Sequence, residues 1–347
     1  MRAQVIPIEE AVGKVLSHDI TKVVPGEFKG VAFKKGHIIR EEDIPELLKL
    51  GKERVYVLEL DADDVHEDEA GVRLGRAVAG EGVACSEPKE SRVNLYAARS
   101  GLLKINVPAL EAINDLPEVI LSTLPNNTPV TEGDVLAGTK VIPLTVKEEV
   151  VRAAEAIAAE QGKVIRVIPY QPLEVGIIVT GGEVFAGRIK DAFGPVLREK
   201  VESFGSHVRD LKYASDDPQM IARLIEEMIA AGDRLVLVSG GMSVDPDDVT
   251  PQGIAMSGAY IEKYGAPVLP GAMFLLAYKD RIPVIGVPAC GMYFRTTILD
   301  LILPRLLTGE RLTRKDIVAL AHGGLCRSCP ECHYPRCSFG LARAEVR

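Results

Sequence analysis

The chain has 347 residues, a net charge of −8, 47% hydrophobic residues and 26% charged residues. That length allows two or more domains with sizeable cores, and the composition is that of an ordinary globular protein. The acidic balance argues against nonspecific nucleic-acid binding. No run of about 18 apolar residues is present to span a membrane. The start, Met1-Arg-Ala-Gln-Val-Ile-Pro7, lacks the apolar stretch of a signal peptide, so a cytoplasmic location is expected.

In chain order, residues 5–18 read as a strand and a short helix. Gly30 to Ile39 reads as two strands around a Lys-Gly turn. Residues 41–50 form a helix, with Ile44, Leu47 and Leu48 on one face, stopped by Gly51. Residues 55–58 are the next strand. The acidic run from Glu59 to Glu69 lacks the alternating ligands and central Gly of a calcium loop, so a solvated loop is expected. Residues 72–146 alternate short apolar segments with Gly, Pro and Asn, and residues 131–144 read as two strands around a Gly turn. Both features favour a small β-rich region. Cys85 is solitary and reads as a packed small side chain. Residues 146–161 form a connecting helix, and 164–168 a strand.

The organising stretch follows. Val175-Gly-Ile-Ile-Val-Thr-Gly-Gly-Glu-Val184 and Leu235-Val-Leu-Val-Ser-Gly-Gly-Met-Ser-Val-Asp-Pro-Asp-Asp-Val-Thr-Pro251 are apolar runs, each ending in a Gly-Gly turn. Such runs suit buried parallel strands. Helices are predicted between them, at 195–204 and from the Ser215-Asp-Asp-Pro218 start signal onward. A further strand is predicted at 282–287 and a helix at 294–307. Ligands of such sheets bind beyond the carboxyl ends of the strands, and Gly-turn amides there suit a phosphate.

Thr180-Gly-Gly-Glu183, Gly187-Arg-Ile-Lys-Asp191 and Ser239-Gly-Gly-Met-Ser-Val-Asp-Pro-Asp-Asp-Val-Thr-Pro251 resemble the molybdopterin-binding domain, over roughly residues 172–307. Molybdopterin adenylyltransferases and molybdopterin molybdenumtransferases share that domain. Residues 11–20 and the strand–turn–helix–strand unit near 30–58 also resemble scaffold segments of the molybdenumtransferases. The resemblance implies an α/β fold: a three-layer, mostly parallel sheet with helices on both faces. A β-rich N-terminal region precedes it and a short Cys-rich tail follows. The expected divisions are an N-terminal region at 1–146, a connecting helix and strand at 147–170, the molybdopterin-binding domain at 171–312 and the tail at 313–347.

The implied function is binding of molybdopterin, or its adenylate, with magnesium-assisted transfer at the pterin phosphate. ATP and molybdate are the implied co-substrates, and self-association is expected. The alternative is a non-catalytic carrier, chaperone or sensor of the molybdenum cofactor. The candidate binding residues are Thr180, Gly181, Gly182, Glu183, Ser239, Gly240, Gly241, Ser243, Asp245, Pro270, Gly271, Pro288 and Cys290. Asp248 falls on the family's functional aspartate and, with Asp191, is the candidate catalytic carboxylate. Each aspartate could instead only cap a helix or close a turn. Ser243 does not sit in a Gly-x-Ser-x-Gly elbow, because Asp245 takes the last Gly position. Two departures from the family pattern fall at the expected pocket. The turn at Pro270-Gly-Ala-Met273 lacks its following lysine, and Ala289-Cys290-Gly291 replaces a Gly-Asn-Pro loop.

Cys326-x2-Cys329-x2-Cys332-x4-Cys337 is the second specific motif. Thiolates at this density suit an iron–sulfur cluster or zinc, with His322 and His333 as reserve ligands. Disulfides are disfavoured in a reducing compartment. The segment shows little apolar sequence of its own, so a metal staple is expected to order it.

Overall fold

The computed structural model describes residues 2–24, 28–59, 63–89, 91–142 and 144–341. They divide into two compact units, 1–124 with 130–167, and 125–129 with 168–347.

In the first unit, strand Arg2–Pro7 pairs antiparallel with Arg54–Glu59, and Ile20–Val24 pairs with Phe28–Phe33. The helix Ile44–Lys49 closes an apolar cluster of Ile8, Leu16, Ile39, Leu47 and Val57. The rest of this unit carries the expected β structure together with helices. It has a four-stranded sheet, but also helices Glu67–Val78, Val107–Asn114 and Glu148–Glu160 packed on it. Gly138, expected in a turn, lies inside the strand Val135–Val141.

Residues 60–62 of the acidic run lie outside the described residues, and residues 64–69 do not form the expected solvated loop. Asp64 opens the strand Asp64–His66 and its nearly buried carboxylate pairs with Lys147 at 2.6 Å. Glu67 is buried in the first turn of the helix 67–78, and burial raises its carboxyl pKa. Acids at a helix N-terminus are stabilised by the exposed amides there, so a charge run can be a helix start.

The second unit is built on a six-stranded sheet. Its order is His207–Ala214, Glu174–Thr180, Leu235–Ser239, Ile282–Val287, Leu275–Lys279 and Tyr260–Tyr264. The first four strands are parallel, and the 275–279 strand runs antiparallel to both its neighbours. The 235–239 strand shows why its sequence is a continuous apolar run. Leu235 and Leu237 enter one apolar cluster with the helices Phe193–Glu202 and Ile298–Leu307. Val236 and Val238 enter another with the helices Pro218–Ala230 and Thr250–Met256. Both faces are covered, so both must be apolar.

The helix expected at 294–307 starts later, at Ile298, because Thr297 caps it. The Thr297 hydroxyl accepts from Leu299 N at 3.2 Å, and the Asp300 carboxylate accepts from Thr297 N at 2.7 Å. Pro304 sits inside this helix. It has no N–H, which leaves the Asp300 carbonyl, four residues back, without its helical partner. Tyr334 of the tail supplies the missing donor, its hydroxyl 3.1 Å from that carbonyl.

The tail is therefore docked by side chains and backbone alike. Phe339 is buried at 4% exposure, and Tyr334, Cys326 and Cys337 pack against the same apolar cluster. Leu269 N donates to Gly324 O, and Cys326 N donates to Leu269 O, each at 2.8 Å. Contrary to the expectation from its composition, the tail buries apolar surface of its own.

Candidate functional site

Strand pairing fixes where the site lies. Val179 pairs with Ser239 and Ser239 with Val287, so the 174–180, 235–239 and 282–287 strands end level with one another. Thr180-Gly181-Gly182, Gly240-Gly241 and Pro288–Cys290 leave the sheet side by side. Leu275 pairs with Gly286, which brings the start of the antiparallel strand, just after Pro270-Gly271, to the same end.

Hydrogen bonds then tie the two Gly turns together. The buried Thr180 hydroxyl lies 3.1 Å from the Ser239 carbonyl and 3.1 Å from the Thr250 hydroxyl. Thr250 in turn donates its hydroxyl to the Gly240 carbonyl at 2.8 Å, and its amide to the Gly241 carbonyl at 3.1 Å. Gly240 has φ +92°, and a Cβ placed on it would lie 2.4 Å from the Thr180 carbonyl oxygen. Only glycine allows this approach. Ser239 is fully buried, and its hydroxyl has no hydrogen-bond partner among the described residues. A buried hydroxyl without a partner costs about 1–3 kcal/mol, so this one calls for a ligand or water.

The carboxylates divide into engaged and free. Asp248, half-buried, accepts from Asp245 N at 2.9 Å through one oxygen, while its own amide donates to Asp245 O at 2.9 Å. It thus closes a turn and does not cap the following helix. That helix has Val249 at its N-cap, with no side-chain capping bond, and Pro251 in its first turn. Ser243, Asp245 and Asp247 are exposed on the same loop. Asp191 accepts from Phe193 N at 2.7 Å and Gly194 N at 3.0 Å, with the Tyr213 hydroxyl 3.3 Å away. It holds the start of the 193–202 helix. Glu183 is exposed, with its carboxylate beside Gly181.

Several neighbours were not singled out from the sequence. Asp216 accepts from Gly182 N at 2.7 Å; the Ser215-Asp-Asp-Pro218 segment signals only a helix start, which Asp217 in fact caps. Tyr264 donates its hydroxyl to Met242 O at 2.9 Å, and burial, then the Asp248 charge, raises its pKa. Nothing in the sequence marks either tyrosine. Cys290 lies in a 3-10 turn, Ala289–Met292, and burial pushes its thiol pKa up. Phe274, following the turn that lacks its lysine, is fully buried.

The four tail cysteines are separate from the Gly turns. Cys326, Cys329, Cys332 and Cys337 line one cavity of about 470 Å³ together with Tyr293, Phe294, Arg295, Thr296 and His333. His322 is not among its lining residues. Among the described residues, no three His, Cys, Asp or Glu side chains are gathered closely enough to hold a single metal ion. None of the helices among the described residues is long and apolar enough to cross a membrane.

Residues 176–308 match the family model described as a probable molybdopterin binding domain, and residues 5–59 match one described as a domain of unknown function (DUF8806). A molybdopterin molybdenumtransferase of Synechococcus elongatus is 28% identical over 137 residues, 37% of this chain and 34% of that protein. A CinA-like protein of Mycobacterium leprae is 34% identical over 80 residues, 23% of this chain and 19% of that protein. The matched part thus spans about a third or less of these relatives. Among solved structures, the molybdopterin biosynthesis enzyme MoaB of Thermus thermophilus aligns at 20% identity and a TM-score of 0.33, over 40% of this chain and 98% of that one. The chain carries over residues 176–308 a domain of the probable molybdopterin binding family, similar in sequence to molybdopterin molybdenumtransferase and to CinA-like proteins.

Proposed function

We propose that the carboxyl ends of the 174–180, 235–239 and 282–287 strands bind the terminal phosphate of molybdopterin, or of its adenylate, and support transfer chemistry there. The observation that carries this reading is the Thr180–Ser239–Thr250 hydrogen-bonded knot. It sets two glycine turns side by side, and the buried Ser239 hydroxyl at the end of the second strand has no partner among the described residues. Backbone amides of such turns suit phosphate oxygens. Asp248 is the candidate magnesium ligand, because it keeps one carboxylate oxygen outside its hydrogen bond; Asp245 and Asp247 are exposed on the same loop and do not gather with it around one point. Magnesium favours one or two carboxylates plus phosphate oxygens, and when bound it would neutralise charge on the transferring group. Thr180, Gly240 and Gly241 would position the phosphate, and Asp248 would hold the cation against it.

A second reading, a non-catalytic carrier or sensor of the cofactor, is favoured by Asp191. Both its oxygens already serve the 193–202 helix and the Tyr213 hydroxyl, so it has little capacity left for chemistry. The absent lysine and the replaced Gly-Asn-Pro loop point the same way. The two readings separate in one assay: turnover of molybdopterin with ATP, and of its adenylate with molybdate, by wild type and Asp248→Asn. The transferase reading expects turnover by wild type, abolished in the variant with melting temperature retained. Tight binding by wild type with no turnover of either substrate establishes the carrier. Full activity in Asp248→Asn removes that residue from the mechanism.

A further inference from the structure

The Cys-rich cavity lies outside the glycine turns, and the pterin reading does not use it. Its four thiols come from one short tail, yet that tail is held in place by other means. Tyr334 fills the acceptor freed by Pro304, Phe339 is buried, and residues 324–326 run beside Leu269. Packing and hydrogen bonds thus place the tail so that all four of its thiols line one cavity.

Three of the thiols follow the spacing Cys326-x2-Cys329-x2-Cys332, which suits an iron–sulfur cluster as in bacterial cluster runs, and Cys337 lines the same cavity of about 470 Å³. The local chemistry suits a cluster as well. The Ser328 amide donates to Cys326 Sγ at 3.4 Å. The Thr296 hydroxyl lies 3.1 Å from Cys332 Sγ. Hydrogen bonds to ligand sulfurs tune cluster potentials. The lining also carries Arg295 and Arg327 against one acid, Glu331, a surplus of positive charge that partly offsets four thiolates.

We infer that Cys326, Cys329, Cys332 and Cys337 hold one iron–sulfur cluster in this cavity. Its inner wall is Tyr293 to Thr296, the segment joining the Ala289–Met292 turn to the 298–307 helix. The cluster thus adjoins the chain leaving the carboxyl end of the sheet, although its ligands are all in the tail.

The test uses the full chain purified without oxygen and then treated with ferrous iron and sulfide under reducing conditions. Iron, acid-labile sulfide and zinc are measured, with the visible spectrum. Iron and sulfide in equal amounts, with a broad visible absorption bleached by dithionite, are expected. Cys329→Ser alters an exposed thiol and should lower the iron content at least about tenfold, with the far-ultraviolet circular dichroism of the apo chain unchanged. Cys332→Ser should do the same. Stoichiometric zinc without iron, cysteines oxidised to disulfides, no iron after reconstitution, or iron retained in both variants would each overturn the assignment. None of these readouts depends on a pterin, so the cluster and the phosphate site stand or fall separately.

Discussion

Ser239 and Gly240 are adjacent in the chain and respond to substitution in opposite ways. Ser239→Ala removes a buried hydroxyl that has no partner among the described residues. The apo chain should therefore be as stable as wild type or more so, by up to about 1–3 kcal/mol, while pterin affinity falls. A denaturant titration alongside a binding titration checks both signs, and a destabilised apo protein would mean that the hydroxyl is already satisfied. Gly240→Ala places a Cβ 2.4 Å from the Thr180 carbonyl at φ +92°. It should destabilise the turn by about 1–3 kcal/mol and separate the two Gly turns. The Gly-Gly pairs are legible in the sequence as turns after apolar strands, and Asp248 as a carboxylate on the second turn's loop, where its side chain closes a turn with Asp245. Asp216, Tyr213 and Tyr264 are not, since their roles depend on which strands become neighbours. Asp191 is legible as an aspartate at a helix start, and the structure gives it that capping task.

Among the elements, the 298–307 helix and the tail explain one another. A proline near a predicted helix end reads as tolerable, but the sequence cannot name the donor that replaces its missing amide. That donor, Tyr334, lies thirty residues further along the chain. Tyr334→Phe should leave the Asp300 carbonyl unsatisfied at a cost of about 1–3 kcal/mol. Hydrogen exchange should show the loss as weaker protection of the tail, and unchanged protection would mean that another group takes the carbonyl. In the first unit, Arg73 of the 67–78 helix grips Glu148 and Glu155 of the 148–160 helix. The hydrogen bonds from Arg73 and then Arg152 hold the Glu148 carboxyl down to about 2. A carboxyl depressed on folding contributes stability above its unfolded pKa, and that contribution is lost as pH falls through the folded value. The melting temperature should therefore carry a Glu148-dependent decline between about pH 5 and pH 2, absent in Glu148→Gln. Identical acid profiles would remove this contact from the acid response. The acidic run misleads for a similar reason: Asp64 and Asp68 pair with Lys147 and Lys35, which are remote in sequence, while Glu67 to Glu69 open a helix.

For the whole molecule, the strand order of the second unit follows from a few local facts. Continuous apolar runs demand cover on both faces, and helical sequence between them demands parallel crossovers. That much is readable from residues 175–251. The edge strands His207–Ala214 and Tyr260–Tyr264 are not, because their half-exposed, mixed patterns carry no clear period. Each unit has apolar clusters of its own, so residues 168–347 expressed alone should unfold cooperatively. A broad, non-cooperative melt would show that the second unit relies on the first. The most direct test of the functional account is equilibrium binding of molybdopterin to the full chain, wild type and Gly240→Ala. The account predicts saturable one-site binding by wild type and its loss in the variant at a temperature where circular dichroism shows the variant folded. No binding by wild type, or equal binding by both proteins, would contradict it.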